Sequence, residues 1–234
     1  PDGVHTNTAD AALRMLVAMS ALYEVGADYV DQPLRDAVYA VLDAYHRGTD
    51  HGIYVDEDGL LVAGETGAAL TWMDAIGPDG PVTPRRGKAV DLNALYLSGL
   101  RFGASLASES DGALSAVLAQ RADRCAVSLG ARFFDPSTGW VRDVVDAEDP
   151  TEEGSLRPNL LVALGTHGIP WPAGAAERTL RVVEEQLLTP YGLRTLDPRH
   201  PEYQPRYAGV QEARDRAYHQ GTVWPWLMGS YVDA

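Results

Sequence analysis

The sequence predicts an all-α fold in which antiparallel helix pairs close into a ring, with long functional loops gathered at one end. Three observations carry this expectation. Apolar residues recur at helical spacing in successive stretches that come in pairs. The connections following the pairs are long and carry turn, strand and aromatic signals. No repeat of fixed period is found, which disfavours a solenoid of copied units. An irregular helical bundle is the alternative arrangement of the same patterns.

Thr8-Ala9-Asp10 opens the first helix, and Leu13, Leu16, Val17, Ser20 and Tyr23 share a face before Gly26 ends it. Pro33 starts the second, with Leu34, Val38, Val41, Leu42 and Tyr45 inward and Gly48 as its stop. The period then changes: Ile53, Val55, Leu60 and Val62 flank Asp58-Gly59, a hairpin signal. The third helix begins near Val90 and uses Leu92, Leu95, Tyr96, Gly99, Phe102, Gly103 and Leu106. Asp91 in its first turn meets the positive end of the helix dipole. The fourth spans about 111–132 through Leu114, Val117, Leu118, Cys125 and Leu129. The acidic stretch from Asp143 to Glu153 reads largely as a solvated surface loop. Leu156-Arg157-Pro158-Asn159 opens a short apolar helix, Leu160 to Leu164. Pro172 starts another, with Ala176, Leu180, Val183 and Leu187 in register, and Thr189-Pro190-Tyr191-Gly192-Leu193 breaks it. A third long loop covers about 194–217, and a last helix is expected from Val223 to Ala234.

Composition bounds the function. The 234 residues, 45% hydrophobic and 22% charged, suffice for one large core or two small ones. A net charge of -14 argues against nucleic acid and anionic membranes and fits a neutral or cationic ligand. No apolar run approaches the roughly 20 residues needed to span a bilayer, and no signal-peptide pattern opens the chain. The single cysteine, Cys125, excludes an internal disulfide. With six scattered histidines it gives no metal-ligand spacing, so neither a metal nor a cofactor is expected. A reducing, cytoplasmic compartment follows. The chain starts at Pro1 without a Met, and the expectation is a chain that begins mid-protein or after processing.

Function concentrates in Leu70-Thr71-Trp72-Met73-Asp74-Ala75 and the following Val82-Thr83-Pro84-Arg85-Arg86-Gly87-Lys88. An indole offers a sugar ring an apolar platform, and an apolar wall favours the protonated form of a nearby carboxyl. Taken alone, Asp74 caps a turn and Trp72 fills the core. The wider context outweighs that.

Three further motifs follow in order: Leu92-Asn93-Ala94-Leu95-Tyr96, Leu156-Arg157-Pro158-Asn159, and Ala217-Tyr218-His219-Gln220-Gly221-Thr222-Val223-Trp224-Pro225-Trp226. With the two above, they make the chain resemble the C-terminal, amylo-alpha-1,6-glucosidase domain of glycogen debranching enzymes, nearly end to end from Asn7 to Trp226. The resemblance implies an (α/α)6 toroid and removal, with inversion, of the α-1,6-linked glucose at a branch point of glycogen. Asp74 then matches the general acid. Trp72, Tyr191 and Trp224 become candidates to stack on glucose, and Arg86, Asn93, Arg157, Asn159, His219 and Gln220 candidates to bond its hydroxyls. The implied partner is a branched α-glucan, glycogen or limit dextrin.

The sequence also departs from the family pattern. A carboxylate motif expected after Trp-Pro-Trp is not reached before Ala234, so the general base is expected to lie outside this chain. By the helical patterns about seven or eight of twelve helices are present, and residues 1–234 are expected to be one incomplete toroid domain. Such a piece should show exposed apolar helix surfaces unless something covers them. Asp91 stands where the family usually has Glu. Glu65, Asp91, Glu212 and Asp215 are carboxylates near the motifs, none assigned as base. A trehalase-like hydrolase of another α-glucoside and a non-catalytic carbohydrate-binding protein remain the alternatives.

Overall fold

In a computed structural model, residues 8–26 and 29–234 are described, so Asn7, where the resemblance begins, lies outside them. The chain is mostly helical with small antiparallel sheets. The helices are α1 (Ala11–Val25), α2 (Gln32–Arg47), α3 (Val90–Ala107), α4 (Gly112–Arg132), α5 (Pro150–Glu153), α6 (Leu160–Leu164), α7 (Ala175–Gln186), α8 (Gln211–Ala217) and α9 (Met228–Asp233). None is long and apolar enough to cross a membrane.

α3 is the central element. Its faces are buried nearly all round, as a helix packed on several sides requires. α1, α2, α4 and α6 all pack on it, and α9 packs on α6. Gly99 permits the close approach: a Cβ there would lie 2.7 Å from Leu16 of α1 and 3.5 Å from Leu42 of α2. Asp31 caps α2 by accepting from the Leu34 N–H, and Asp111 caps α4 through the N–H groups of Ala113 and Leu114.

The N-terminal ends of α1, α3, α6 and α9 share one end of the molecule. The Ala9 N–H bonds Leu70 O, the Val90 N–H bonds Asp143 O, and Asn159 at the start of α6 bonds the Asp143 side chain. Trp226, just before α9, meets Trp72 at 4.8 Å between ring centroids and the Arg14 guanidinium at 5.0 Å. The expected hairpin forms as β1 (Tyr54–Val55) and β2 (Leu61–Val62), with Tyr54 opposite Val62. A second hairpin, β3 (Ile76–Gly77) with β4 (Gly80–Pro81), follows the Trp72-Asp74 segment. β5 (Lys88–Ala89) pairs with the distant β6 (Val144–Val145). β7 (Leu188–Thr189), β8 (Gly192–Arg194) and β9 (Val223–Trp224) form a three-stranded antiparallel sheet, with Leu193 opposite Trp224.

Several expectations are corrected. Val223 begins a strand and not the last helix, because Trp224 precedes Pro225 and a residue before proline is pushed to extended backbone. The 194–217 loop contains α8. Val17 and Val117, expected inward, are exposed, while Met19 and Ala122 take buried positions on those helices. α7 starts at Ala175, three residues after Pro172, and buries Ala175, Thr179, Val182 and Val183, leaving Ala176 and Leu180 half-buried. α1 exposes Met15, Leu22 and Val25, and α9 exposes Val232, in keeping with the expected uncovered apolar surface.

Candidate functional site at the shared helix ends

The site is built on a buried ionic centre. Arg85 is 1% exposed and its backbone has φ 45°, a left-handed conformation that an arginine adopts only when held. Two carboxylates hold it. Nε and Nη2 donate to Asp143 at 2.8 and 3.0 Å, and Nη2 donates to Asp91 at 2.7 Å. Burial opposes the charge on Arg85, and Asp143 and Asp91 outweigh it, so the guanidinium is held well above its ordinary value. Glu152 accepts the Arg85 N–H at 3.3 Å, and burial pushes its carboxyl up against that bond and the nearby arginines.

From this centre a chain of hydrogen bonds leads to the candidate platform. Asn159, fully buried, donates from Nδ2 to Asp143 at 2.9 Å and accepts from Trp72 Nε1 at 2.7 Å. The half-buried Trp72 ring then meets His219 edge-on at 5.1 Å and Trp226 at 4.8 Å. His219 stacks on Trp224 at 6.4 Å, and Tyr218 stands edge-on to both. Edge-to-face pairs of this kind fix ring orientation as well as burying area. Burial first, then Arg157 and Arg85, press His219 down to about 3, so its imidazole is neutral at physiological pH. Its buried Nδ1 has no hydrogen-bond partner among the described residues.

Arg157 ties the motifs together. It donates to Thr195 O, His219 O and Gln220 Oε1 at 3.1, 2.8 and 2.8 Å. Burial brings its guanidinium down to about 10, which leaves it charged at neutral pH. Gln220 passes the restraint on, donating to Val82 O and Glu202 at 3.2 Å. Gln220 also lines a 460 Å³ cleft with the β3–β4 hairpin and α8. Between Trp72 and Asp74, Met73 is fully buried and its Sδ accepts from Arg157 and Asn159. Asp74 itself is exposed and makes no hydrogen bond or ion pair with the described residues.

The structure thus gathers Trp72, Arg157, Asn159, His219, Gln220 and Trp224 in one continuous network. It does not bring in the other three candidate sugar contacts. Asn93 spends its amide on backbone, bonding Leu61 N, Leu61 O and Ala89 O. Arg86 forms an ion pair with Glu148 at 2.8 Å. Tyr191 is 84% exposed at the β7–β8 turn. His219 and Gln220 lie between α8 and β9 and not at a helix start.

The acidic stretch also requires correction. Asp143 is 1% exposed and Glu152 is half-buried, so these two are structural groups of the site and not solvated surface. The signal was available: Val144-Val145 directly after Asp143 is an apolar strand pair, which buries its neighbour. Asp56, Asp58 and Asp146 make a carboxylate group of metal-ligand dimensions, within 4.8 Å of one another. The Lys88 ammonium stands among them at 2.7, 2.8 and 2.9 Å, supplying the positive charge itself.

The chain is thus a helical body with a cluster of indoles and an exposed carboxyl at one end. The chain belongs to the amylo-alpha-1,6-glucosidase family, which it matches over residues 2–234. It is 28% identical over 262 residues to the glycogen debranching enzyme of Saccharomyces cerevisiae, covering 86% of this chain and spanning 17% of that enzyme's length. Among solved structures it is similar to a sialidase, with a TM-score of 0.55, 13% identity, and coverage of 86% of this chain and 17% of that one. At that identity the likeness concerns the fold alone.

Proposed function

We propose that this chain carries the general-acid side of an inverting α-1,6-glucosidase site. Asp74 gives its proton to the glycosidic oxygen of a glucose at an α-glucan branch point, while Trp72 and Trp224 face the sugar. Family membership supports this, and so does the free carboxyl of Asp74 one residue from Met73, which is anchored to Arg157 and Asn159. That juxtaposition is the observation that carries the reading. Proton delivery needs an enclosed carboxyl. Asp74 is exposed, so the bound glucan and residues outside this chain complete the enclosure. The base stands across the sugar, roughly 6.5–9.5 Å from the acid, with room for a water.

The described residues form an arc of an (α/α)6 toroid, with α1, α3, α6 and α9 as neighbouring inner helices. The successive packing of α1 on α3, α3 on α6 and α6 on α9 supports this, as do the uncovered apolar residues at the two ends of the arc. The active species is a longer cytoplasmic protein containing this segment. The test is glucose release from phosphorylase limit dextrin by that protein. Hydrolysis of limit dextrin, absence of trehalose hydrolysis, and loss of activity in Asp74→Asn are expected. Trehalose as the better substrate, or tight dextrin binding with no hydrolysis, overturns the reading.

A further inference from the structure

We propose that Asp143 is a positioning residue for substrate binding: acting through Asn159, it fixes the Trp72 indole in the orientation that receives a glucosyl ring. This rests on the reading of Trp72 as a sugar platform.

The inference comes from the donor and acceptor order along the chain of contacts. An asparagine side chain has one accepting end and one donating end. Asp143 Oδ1 accepts from Asn159 Nδ2 at 2.9 Å, which forces Asn159 Oδ1 to the opposite side. There it accepts from Trp72 Nε1 at 2.7 Å. With the amide reversed, an amide oxygen would face a carboxylate and an amide N–H would face the indole N–H. Both contacts would be repulsive, and all of these groups are at least partly buried, so a single orientation survives. Asp143 is in turn immobilised by Arg85, through Nε on one oxygen and Nη2 on the other. The orientation of an aromatic ring at the site is therefore set two contacts away, by the buried carboxylate of Asp143.

Asp143→Asn breaks this order while conserving shape. At the Oδ1 position its new amide N–H meets both Arg85 Nη2 and the Asn159 N–H, and at the Oδ2 position it meets Arg85 Nε. In the first placement the repair is reversal of Asn159, which deprives the Trp72 indole of its acceptor; in the second the side chain loses the charge-assisted hold of Arg85 that fixes it, and Asn159 loses its anchor. Asp91→Asn is the matched control. Asp91 is fully buried and bonds the same Arg85, yet has no contact with Asn159.

The experiment uses the full 234-residue chain labelled with 15N at the indole nitrogens. Its five tryptophans give five Nε1–H signals, and loss in Trp72→Phe identifies that of Trp72. The expected result is a displaced or broadened Trp72 signal in Asp143→Asn and an affinity for phosphorylase limit dextrin weakened about tenfold. Asp91→Asn is expected to keep the Trp72 signal near wild type. If Asp143→Asn does not fold, Asn159→Leu, which keeps the Arg85–Asp143 pair, is expected to displace the same signal. An unmoved Trp72 signal, equal effects of Asp143→Asn and Asp91→Asn, or a displaced signal with unchanged affinity overturns the proposal. If neither this chain nor the longer protein that contains it binds dextrin, the platform reading fails, and the indole signal still decides separately whether Asp143 orients Trp72.

Discussion

Replacing Lys88 by Met removes the positive charge that joins three parts of the fold, β5, the first hairpin and the segment beside β6. The Lys88 side chain is 2% exposed, and its ammonium bonds Asp56 and Asp58 of the first hairpin and Asp146 beside β6. Arg132 of α4 pairs with Asp58 and Asp146 as well. A hydrogen bond to a charged group contributes roughly 1.5–3 kcal/mol when well shielded. The three carboxylates are 40, 22 and 48% exposed, and screening brings each contact to about 1 kcal/mol. Met keeps most of the apolar stem, so packing changes little. The expected loss is about 3 kcal/mol, or roughly 6–12 °C in Tm for a domain of this length.

The pH dependence of that loss follows from the same groups. At Asp56 the Lys88 hydrogen bond leads in lowering the carboxyl below its ordinary 3.8. At Asp58 and Asp146 burial opposes ionisation, and bonds to Lys88 and Arg132 outweigh it. Carboxylates held low contribute stability that is present above 3.8 and lost as pH falls through their folded values. Lys88 is raised above its ordinary 10.5 because the three carboxylates outweigh burial. Its contribution is present below 10.5 and lost as pH rises through the folded value. Thermal unfolding followed by circular dichroism should therefore show a wild-type advantage at about pH 7 that shrinks by about pH 3. An advantage under about 1 kcal/mol at neutral pH, or one of equal size at both, refutes the reasoning.

Other outcomes follow from the buried groups. With His219 held at about 3, its imidazole C–H resonance should not titrate between about pH 5 and 8. The stability gained by keeping it neutral is present above 6.5 and lost as pH falls towards 3; a midpoint near 6.5 in the folded protein contradicts this. Burial raises the Cys125 thiol to about 12, so a thiol reagent at about pH 8 should label it only in denaturant, and rapid native labelling counts against the buried site. Gly87 has φ +120°, and a Cβ there would lie 2.6 Å from Asp146 O and 2.9 Å from Val145 O, both backbone atoms. Gly87→Ala should cost about 2–3 kcal/mol in urea unfolding, and a neutral result would mean that β5 and β6 do not meet as described.

Local physics made the helices legible. Apolar spacing located α2, α3 and α4, and Pro33 marked the first turn of α2, because a helix's start and its buried positions are written in neighbouring residues. Asp58-Gly59 announced the β1–β2 hairpin because a two-strand turn is encoded by its own residues. Pairings between distant segments carry no such local mark. β5 meets β6, and β9 meets β8, through contacts that only the folded chain brings about. The candidate site divides the same way. Trp72, Arg157, Asn159, His219, Gln220 and Trp224 stood out by motif, and they converge. Asp143 did not, and Arg85, although inside a motif that did, was not read as a buried centre, because a buried pair is spelled with the same letters as a solvated one. Asn93 stood out for the same polarity, yet its amide serves the backbone of Leu61 and Ala89.

The most direct measurement compares two substrates for Asp74→Asn in the longer protein that contains this chain. Cleaving limit dextrin requires a proton for the departing sugar oxygen, whereas α-glucosyl fluoride loses fluoride without one. If Asp74 is the acid, the variant loses about 10²–10⁴-fold in kcat on limit dextrin and keeps most of its rate on the fluoride. Equal losses on both substrates, or full activity on limit dextrin, would contradict that role.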